Sequence, residues 1–463
     1  MTEAIVTCLL AFFLIVDAMT ASRHRRPKTP PKEPVRALID ALTHDGRGVA
    51  RVDGKPVFVW GALPGEEVSF TYTAVRRDFA EAQVETVHVA APQRTLPPCP
   101  SFGTCGGCSF QHVSDQDQIR LKEGLLVEQF ERTAKIPAFT HLPPLTGPSW
   151  GYRDKARLGI RHVPKKGRVL VGFRERASAY IADIERCPVL VPAVGTRLLA
   201  LSALIGELGI KDAIPQIEMA HGEGRTALIF RILKDLDQED RIKLMAFGAQ
   251  TGFEIYTQRQ GPDTVEFLGE EQPPLLRYRL DAYGLVFEFG PADFTQVNTS
   301  INRQMVDRAL ELLDPGPGER VLDLFCGLGN FTLPLARKAG WVVGVEGNPE
   351  SIRRAQHNAT LNALDNVEFH VADLSQPLDG FSWAQQSYDK VLLDPSRAGA
   401  AEVMEWMGRW QPRRIVYVSC NPSTLARDAG ILVHDLGYRL EAAGVMDMFP
   451  QTAHVESMAV FVR

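Results

Sequence analysis

The sequence lacks a basic surplus. Its 463 residues carry 51 Lys and Arg against 56 Asp and Glu, a formal charge of −5. Nucleic-acid binding therefore has no global electrostatic signature, and any RNA or DNA contact must come from local patches. Cysteine is scarce, with seven residues unevenly spaced. That count excludes a disulfide scaffold and points to metal binding or catalysis in a reducing compartment, the cytoplasm. Membrane-length apolar runs are missing too. The one apparent targeting segment, Ala4–Val16, is too short for a comfortable span. Glu3 is the only charge ahead of it, and the basic residues that a secretory signal needs in front come behind, at Arg23, Arg25, Arg26 and Lys28. A translation start assigned too early, with Met19 as the first residue, is the favoured reading, and no membrane association is expected. Residues 20–35, rich in Arg, Lys and Pro, read as a disordered basic arm.

What is present is ordinary globular material, 45% hydrophobic and 23% charged, long enough for two to four domains. From Val35 short alternating runs are separated by Asp45-Gly46, Arg47-Gly48, Asp53-Gly54 and Pro64-Gly65, which mark tight turns in a small β-barrel. The stretch from Asp45 through Glu66 resembles a TRAM domain, an OB-like barrel attached to RNA-modifying enzymes, with Arg76 and Arg77 as phosphate contacts. Cys99, Cys105 and Cys108 follow with C-x5-C-x2-C spacing among Gly103, Gly106 and Gly107. A closed set needs a fourth ligand, for which Cys187 before Pro188 is the best remaining choice. Thiolates suit zinc or an iron–sulfur cluster, and the asymmetric set with a Cys-Pro ending leans toward 4Fe-4S. Gln116–Ala134 reads as an amphipathic helix. Nine Lys or Arg lie between Arg153 and Arg176 against Asp154 and Glu175, with Tyr152 and Phe173 interleaved. This is an expected RNA-facing β surface, or else a set of solvated strand faces.

After a helix at Asn298–Leu313, apolar strands at Arg320–Phe325, Trp341–Val345, Val367–Val371, Lys390–Leu393 and Ile415–Val418 alternate with helical segments. This is a doubly wound α/β array. Glu346, Asp373 and Asp394 stand at or near three strand ends, and Cys326–Phe331 forms a glycine loop after the first strand. That combination serves NAD or S-adenosylmethionine. The third glycine of a dinucleotide fingerprint is absent, and so is a phosphate-binding lysine. Acids at successive strand ends, with Asp323 behind the loop, suit a cationic donor, the sulfonium of S-adenosylmethionine. Cys420 sits where the fifth strand meets Asn421-Pro422, at the carboxyl edge where ligands bind. On its own it reads as a buried structural cysteine or as a reactive thiol. Glu456 opens a last strand that includes Met458–Val462.

Taken together, Phe294-Thr295-Gln296-Val297-Asn298, Asp323-Leu324-Phe325-Cys326-Gly327-Leu328-Gly329-Asn330-Phe331, Asp394-Pro395-Ser396-Arg397, Ser419-Cys420-Asn421-Pro422, His454-Val455-Glu456 and the cluster cysteines resemble the RNA uridine-C5 methyltransferase family. The likeness runs from about Val35 to Arg463 and is nearest to the 23S ribosomal RNA branch that carries a TRAM domain and a 4Fe-4S cluster. It implies a Rossmann-like class I methyltransferase domain at 291–463, a central α/β domain bearing the iron–sulfur site at 93–290, a TRAM barrel at 35–92 and an extension at 1–34. It implies Cys420 as nucleophile and Glu456 as the base that takes the C5 proton. Gln296, Phe325, Asn330, Glu346, Asp373 and Asp394 would line the S-adenosylmethionine site, with Asp394 also facing the uracil. Cys99, Cys105, Cys108 and Cys187 would hold the cluster, while Cys326 packs beneath the glycine loop. The expected substrate is 23S ribosomal RNA, with transfer RNA as the alternative, acted on by a monomer without a stable protein partner. An amino-group methyltransferase, suggested by Asp394-Pro395-Ser396-Arg397, and a non-catalytic RNA-binding protein are the rival readings.

Overall fold

The computed structural model describes residues 33–463. Ala4–Val16, Met19 and most of the basic arm lie outside the described residues. The chain divides into two compact units, one reaching Thr43 and resuming from Arg47 to Pro92, the other taking His44–Gly46 and Gln93–Arg463.

The first unit is one six-stranded sheet: β1 (Val35–Leu38), β2 (Ala41–Leu42), β3 (Gly48–Val52), β4 (Lys55–Trp60), β5 (Glu67–Val75) and β6 (Ala80–Val89), in the order β1-β5-β6-β4-β3-β2. Alternating apolar residues give it a core of its own, including Ile39, Val57, Val59, Val68 and Phe70. Gly54 and Gly65 take the positive φ that their turns require. The expected turn at Arg47-Gly48 is instead the start of β3. There a Cβ on Gly48 would stand 2.8 Å from Ile39 Cγ2, so that glycine serves close packing. Arg76 and Arg77 are exposed between β5 and β6.

In the second unit, helix α1 (Asp115–Gln129) is capped by Ser114 and followed by one π-helical turn, Phe130–Ala134. The helix is where the sequence placed it, but its inward face is not purely apolar, because Gln118 and Lys122 are buried beside Ile119 and Leu126. Both reach a loop far along the chain. Lys122 Nζ donates to Asp447 Oδ1 at 2.6 Å and to the Phe449 carbonyl at 3.1 Å. Burial pulls the Lys122 pKa down and Asp447 opposes it. Lys122→Met would leave Asp447 uncompensated, and a loss of about 3–5 kcal/mol of stability is expected. Chemical denaturation checks this, and an unchanged midpoint would contradict it.

After a two-residue strand β7 (Thr140–His141) comes a mixed sheet of β8 (Lys155–Val163), β9 (Arg168–Gly172), β10 (Gln216–Gly222), β11 (Arg225–Arg231), β12 (Phe253–Gln258) and β13 (Val265–Phe267), ordered β13-β12-β11-β10-β8-β9. A hairpin, β14 (Leu276–Leu280) with β15 (Leu285–Phe289), leads to the C-terminal sheet. That sheet contains β16 (Arg320–Leu324), β17 (Trp341–Glu346), β18 (Val367–Val371), β19 (Lys390–Leu393), β20 (Arg414–Ser419), β21 (Arg439–Met446) and β22 (Glu456–Val462), ordered β18-β17-β16-β19-β20-β22-β21-β7. β16 to β20 are parallel, while β22 runs antiparallel to both β20 and β21. Successive residues feed opposite layers. Leu322, Leu324, Ile415 and Tyr417 pack with α1, whereas Val321, Leu392, Val416 and Val418 pack with the helix Thr299–Leu313. Both faces are covered, which is why these strands read as unbroken apolar runs. Strand order reverses between β16 and β19, so a crevice opens at the carboxyl ends of those two strands.

Three cations of the predicted basic surface are ion-paired. Arg157 pairs with Glu218, and Lys166 and Arg168 pair with Asp183. Lys155 donates to the Asp293 carbonyl and Arg176 to the Cys108 carbonyl. Tyr152 is buried with its hydroxyl on the Pro450 carbonyl, and Phe173 packs where a Cβ on Gly107 would touch it at 2.9 Å. These aromatics are packing groups. Arg161 and Arg174 remain among the exposed cations of the stretch.

Candidate active site

Strand β20 ends at Ser419, and the helix Pro422–Gly430 starts three residues later. Asn421 caps that helix, its Oδ1 accepting from Ser423 N at 3.1 Å, while its Nδ2 donates to the Arg397 carbonyl at 3.1 Å. Cys420 is held between strand and cap, half-buried, on a cleft lined by Arg397, Asn421, Ser423, His454 and Val455. Burial pushes the Cys420 thiol up to about 11, the charges of Glu456 and Asp394 push the same way, and Arg397 opposes them.

The β20–β22 register places Ser419 opposite Ser457. In an antiparallel pair the next residues outward, Cys420 and Glu456, therefore stand side by side at the sheet edge. Glu456 Oε1 meets His454 Nε2 at 3.1 Å, and His454 Nδ1 meets an Arg397 guanidinium nitrogen at 3.3 Å. The loop before Glu456 is fixed from several sides. Ser109 N and Phe110 N both donate to the Gln451 carbonyl at 3.0 Å, Gln118 Nε2 reaches Gln451 Oε1 at 3.0 Å, and Ser109 Oγ accepts from Ala453 N at 2.8 Å. Gln451 itself has φ 68, a conformation a non-glycine residue keeps only when its surroundings impose it.

The acids converge at the neighbouring strand ends. Glu346 accepts from Gly327 N at 3.3 Å and from Asn348 N at 2.9 Å, which ties the end of β17 to the glycine loop. Asp373 accepts from Ser375, which lowers its pKa. Asp394 is driven well above the usual carboxylate range by burial and by the charges of Glu456, Asp323 and Glu346. Asp323 is fully buried and pushed up to about 7 by desolvation, with Thr332 on one oxygen and no hydrogen-bond partner on Oδ1. An acid cluster of this kind favours a cationic ligand. The loop between them is shaped for close approach. Phe325 has φ 64 and Gly329 φ 92, and a Cβ on Gly329 would lie 2.5 Å from Leu333 Cδ1. Cys326 is buried against Gly344, as expected of a packing residue.

The other expected donor-site residues differ in what they expose. Gln296 is half-buried in the loop before Asn298, the N-cap of Thr299–Leu313. The Asn330 side chain is taken up by Tyr278 Oη at 2.9 Å and by a reciprocal pair with Asn302 at 3.0 and 2.9 Å. It anchors the glycine loop from behind. Sequence reasoning missed Tyr278 and Asn302, whose only local signal is polarity within otherwise apolar segments.

Cys99, Cys105, Cys108 and Cys187 line one pocket with Gln111 and Phe173. All are free thiols. Burial raises the Cys108 thiol to about 12 and Cys187 to about 11, so a cationic centre is needed to hold them as thiolates. Among the described residues, no three His, Cys, Asp or Glu side chains converge closely enough for a single ion. The four thiols border a shared space. Among the described residues, no helix is long and apolar enough to cross a membrane.

Comparison with known proteins agrees with this geometry. The family profile "tRNA (Uracil-5-)-methyltransferase" matches residues 277–463, and the TRAM domain profile matches 32–84. The chain is 57% identical over 95% of its length to a "23S rRNA (uracil(1939)-C(5))-methyltransferase RlmD" of Methylococcus capsulatus, all of which is covered. It is 53% identical over 95% of its length to the protein of the same name from Alkalilimnicola ehrlichii, 99% of which is covered. Among solved structures, the Pyrococcus abyssi tRNA (uracil-54, C5)-methyltransferase in complex with S-adenosyl-L-homocysteine aligns with a TM-score of 0.71 at 26% identity, covering 92% of this chain and 99% of that one. A thiol and a carboxylate at adjoining strand ends, beside an acid-lined glycine loop and carried by a chain with a TRAM barrel, place it: the chain belongs to the RlmD family of RNA uracil-C5 methyltransferases.

Proposed function

We propose that this protein methylates C5 of one uridine in 23S ribosomal RNA, the position its relatives' names give as 1939, from S-adenosylmethionine. The observation that carries the reading is the strand register that sets Cys420 beside Glu456 at the edge where the acids gather. Uracil C5 is a weak nucleophile. Addition of the Cys420 thiolate to C6 turns C5 into an enolate-like carbon. S-adenosylmethionine, when bound, supplies the electrophilic methyl group. Glu456 then takes the C5 proton, the C5–H pair forms the C5–C6 double bond, and the C6–S pair returns to Cys420. Glu346, Asp373 and Asp394 would hold the donor's hydroxyl and cationic groups, Gln296 and Phe325 would flank it, and Asn330 would brace the loop beneath. The target base must be unstacked to reach the cleft. The domain limits expected from the sequence, 35–92, 93–290 and 291–463, are kept as functional modules of this enzyme, acting in the cytoplasm.

Mass mapping of 5-methyluridine in ribosomal and transfer RNA from a deletion strain tests the substrate. Loss at the single ribosomal site is expected, and loss confined to transfer RNA would overturn it. A 4Fe-4S cluster on Cys99, Cys105, Cys108 and Cys187 completes the proposal. Anaerobically purified protein is expected to show broad visible absorption, with iron and acid-labile sulfide. A colourless, zinc-loaded sample would refute the assignment.

A further inference from the structure

Histidine 454 faces two groups with opposite demands. A guanidinium can only donate hydrogen bonds, so the Arg397 contact at 3.3 Å requires a lone pair on His454 Nδ1. The ring proton of a neutral imidazole then sits on Nε2, which lies 3.1 Å from Glu456 Oε1. The ring is not free to turn away, because Phe449 meets it edge-on with centroids 4.6 Å apart. The backbone is held as well, His454 N donating to Thr452 Oγ1 at 3.2 Å. His454 and Cys420 line the same cleft.

We propose that His454 is the positioning residue of proton abstraction: as its Nε2–H tautomer, fixed by Arg397, it aims the Glu456 carboxylate at C5 and keeps it ionised until the methyl group is in place. The inference rests on the uridine-C5 reading above. Glu456 shares its surroundings with Asp394 and the Cys420 sulfur, and its charge raises the pKa of both. A hydrogen bond to the charged form of a carboxylate stabilises that form. When Glu456 takes the C5 proton, its bond from Nε2–H weakens, which eases proton loss to solvent and resets the base for the next turnover.

The role predicts which step fails. With His454→Ala, thiol addition and methyl transfer remain possible, but release from C6 slows. The expected result is a drop in kcat of about 10- to 100-fold, within the range for acid–base catalysis. KM for RNA falls with kcat, as it must when a late step limits turnover, while RNA and donor dissociation constants stay near wild type. A methylated protein–RNA adduct accumulates and survives denaturing electrophoresis. His454→Gln keeps an N–H donor toward Glu456 and recovers most of the rate. A purely structural role would give the opposite pattern, with donor affinity lost and no adduct. Wild-type turnover by His454→Ala, or a slow variant without adduct, overturns the inference. If Glu456→Gln gives neither adduct nor methylated uridine on uridine-containing substrate, the uridine-C5 reading itself fails, an outcome separate from either of these.

Discussion

Cys420→Ala is expected to abolish methylation, by roughly 10⁴-fold or more, the scale on which removing a covalent nucleophile acts. The variant should still bind S-adenosylmethionine, because the acids at the ends of β17 and β19 and the glycine loop are carried by other strands. Single-turnover assays with donor binding measured in parallel check both parts. An amino-group methyltransferase needs no thiol, so retained activity would favour that rival reading of Asp394-Pro395-Ser396-Arg397. The thiol's environment adds a pH signature. Burial, Glu456 and Asp394 raise its pKa to about 11 in the free protein. The reactive form is the thiolate, which grows as pH rises toward that value. Iodoacetamide labelling of Cys420 should therefore accelerate about tenfold per pH unit from 7 to 10. A flat profile would mean that the thiol is already ionised at neutrality.

The parallel half of the catalytic sheet could be read from the sequence because its strands are covered on both faces. Unbroken apolar runs such as Val391–Leu393 and Val416–Val418 then end abruptly at polar residues. The carboxyl-edge position of Cys420 follows from that local pattern alone. Its pairing with Glu456 does not, since β22 is antiparallel and register across a gap of this length is set by which faces are buried. The family motif supplied the pairing before the geometry did.

Other features were hidden for the same kind of reason, a partner distant in sequence. Arg157 looked like a free cation until β10 placed Glu218 against it, and Lys166 and Arg168 until Asp183 did so. Gln118 and Lys122 appeared as polar positions on an α1 face that the fold turns inward, because their partners Gln451 and Asp447 lie more than three hundred residues away. Asn330 belongs to a recognisable glycine loop, but the Tyr278 and Asn302 contacts that consume its side chain come from a hairpin and a helix before that loop. Chemistry concentrated at strand ends is legible one strand at a time, whereas support for that chemistry is assembled from the whole unit.

Glu456→Gln separates the two halves of the reaction. An amide keeps the size of the side chain and its contact with His454, but it cannot accept the C5 proton as a carboxylate does. Attack by Cys420 on C6 and methyl transfer to C5 do not use that proton, so both steps should proceed once. The C5–H bond then has no base, the C6–S bond cannot break, and the enzyme remains covalently attached to methylated RNA. A fall in turnover of about 10²–10⁴-fold is expected, as for loss of a general base. Denaturing electrophoresis with methyl-labelled donor checks it. The label should migrate with protein and RNA together and disappear when Cys420→Ala is combined with Glu456→Gln. Free methylated RNA released at the wild-type rate would show that another group takes the proton, and among the side chains gathered at this edge Asp394 would then become the base to test.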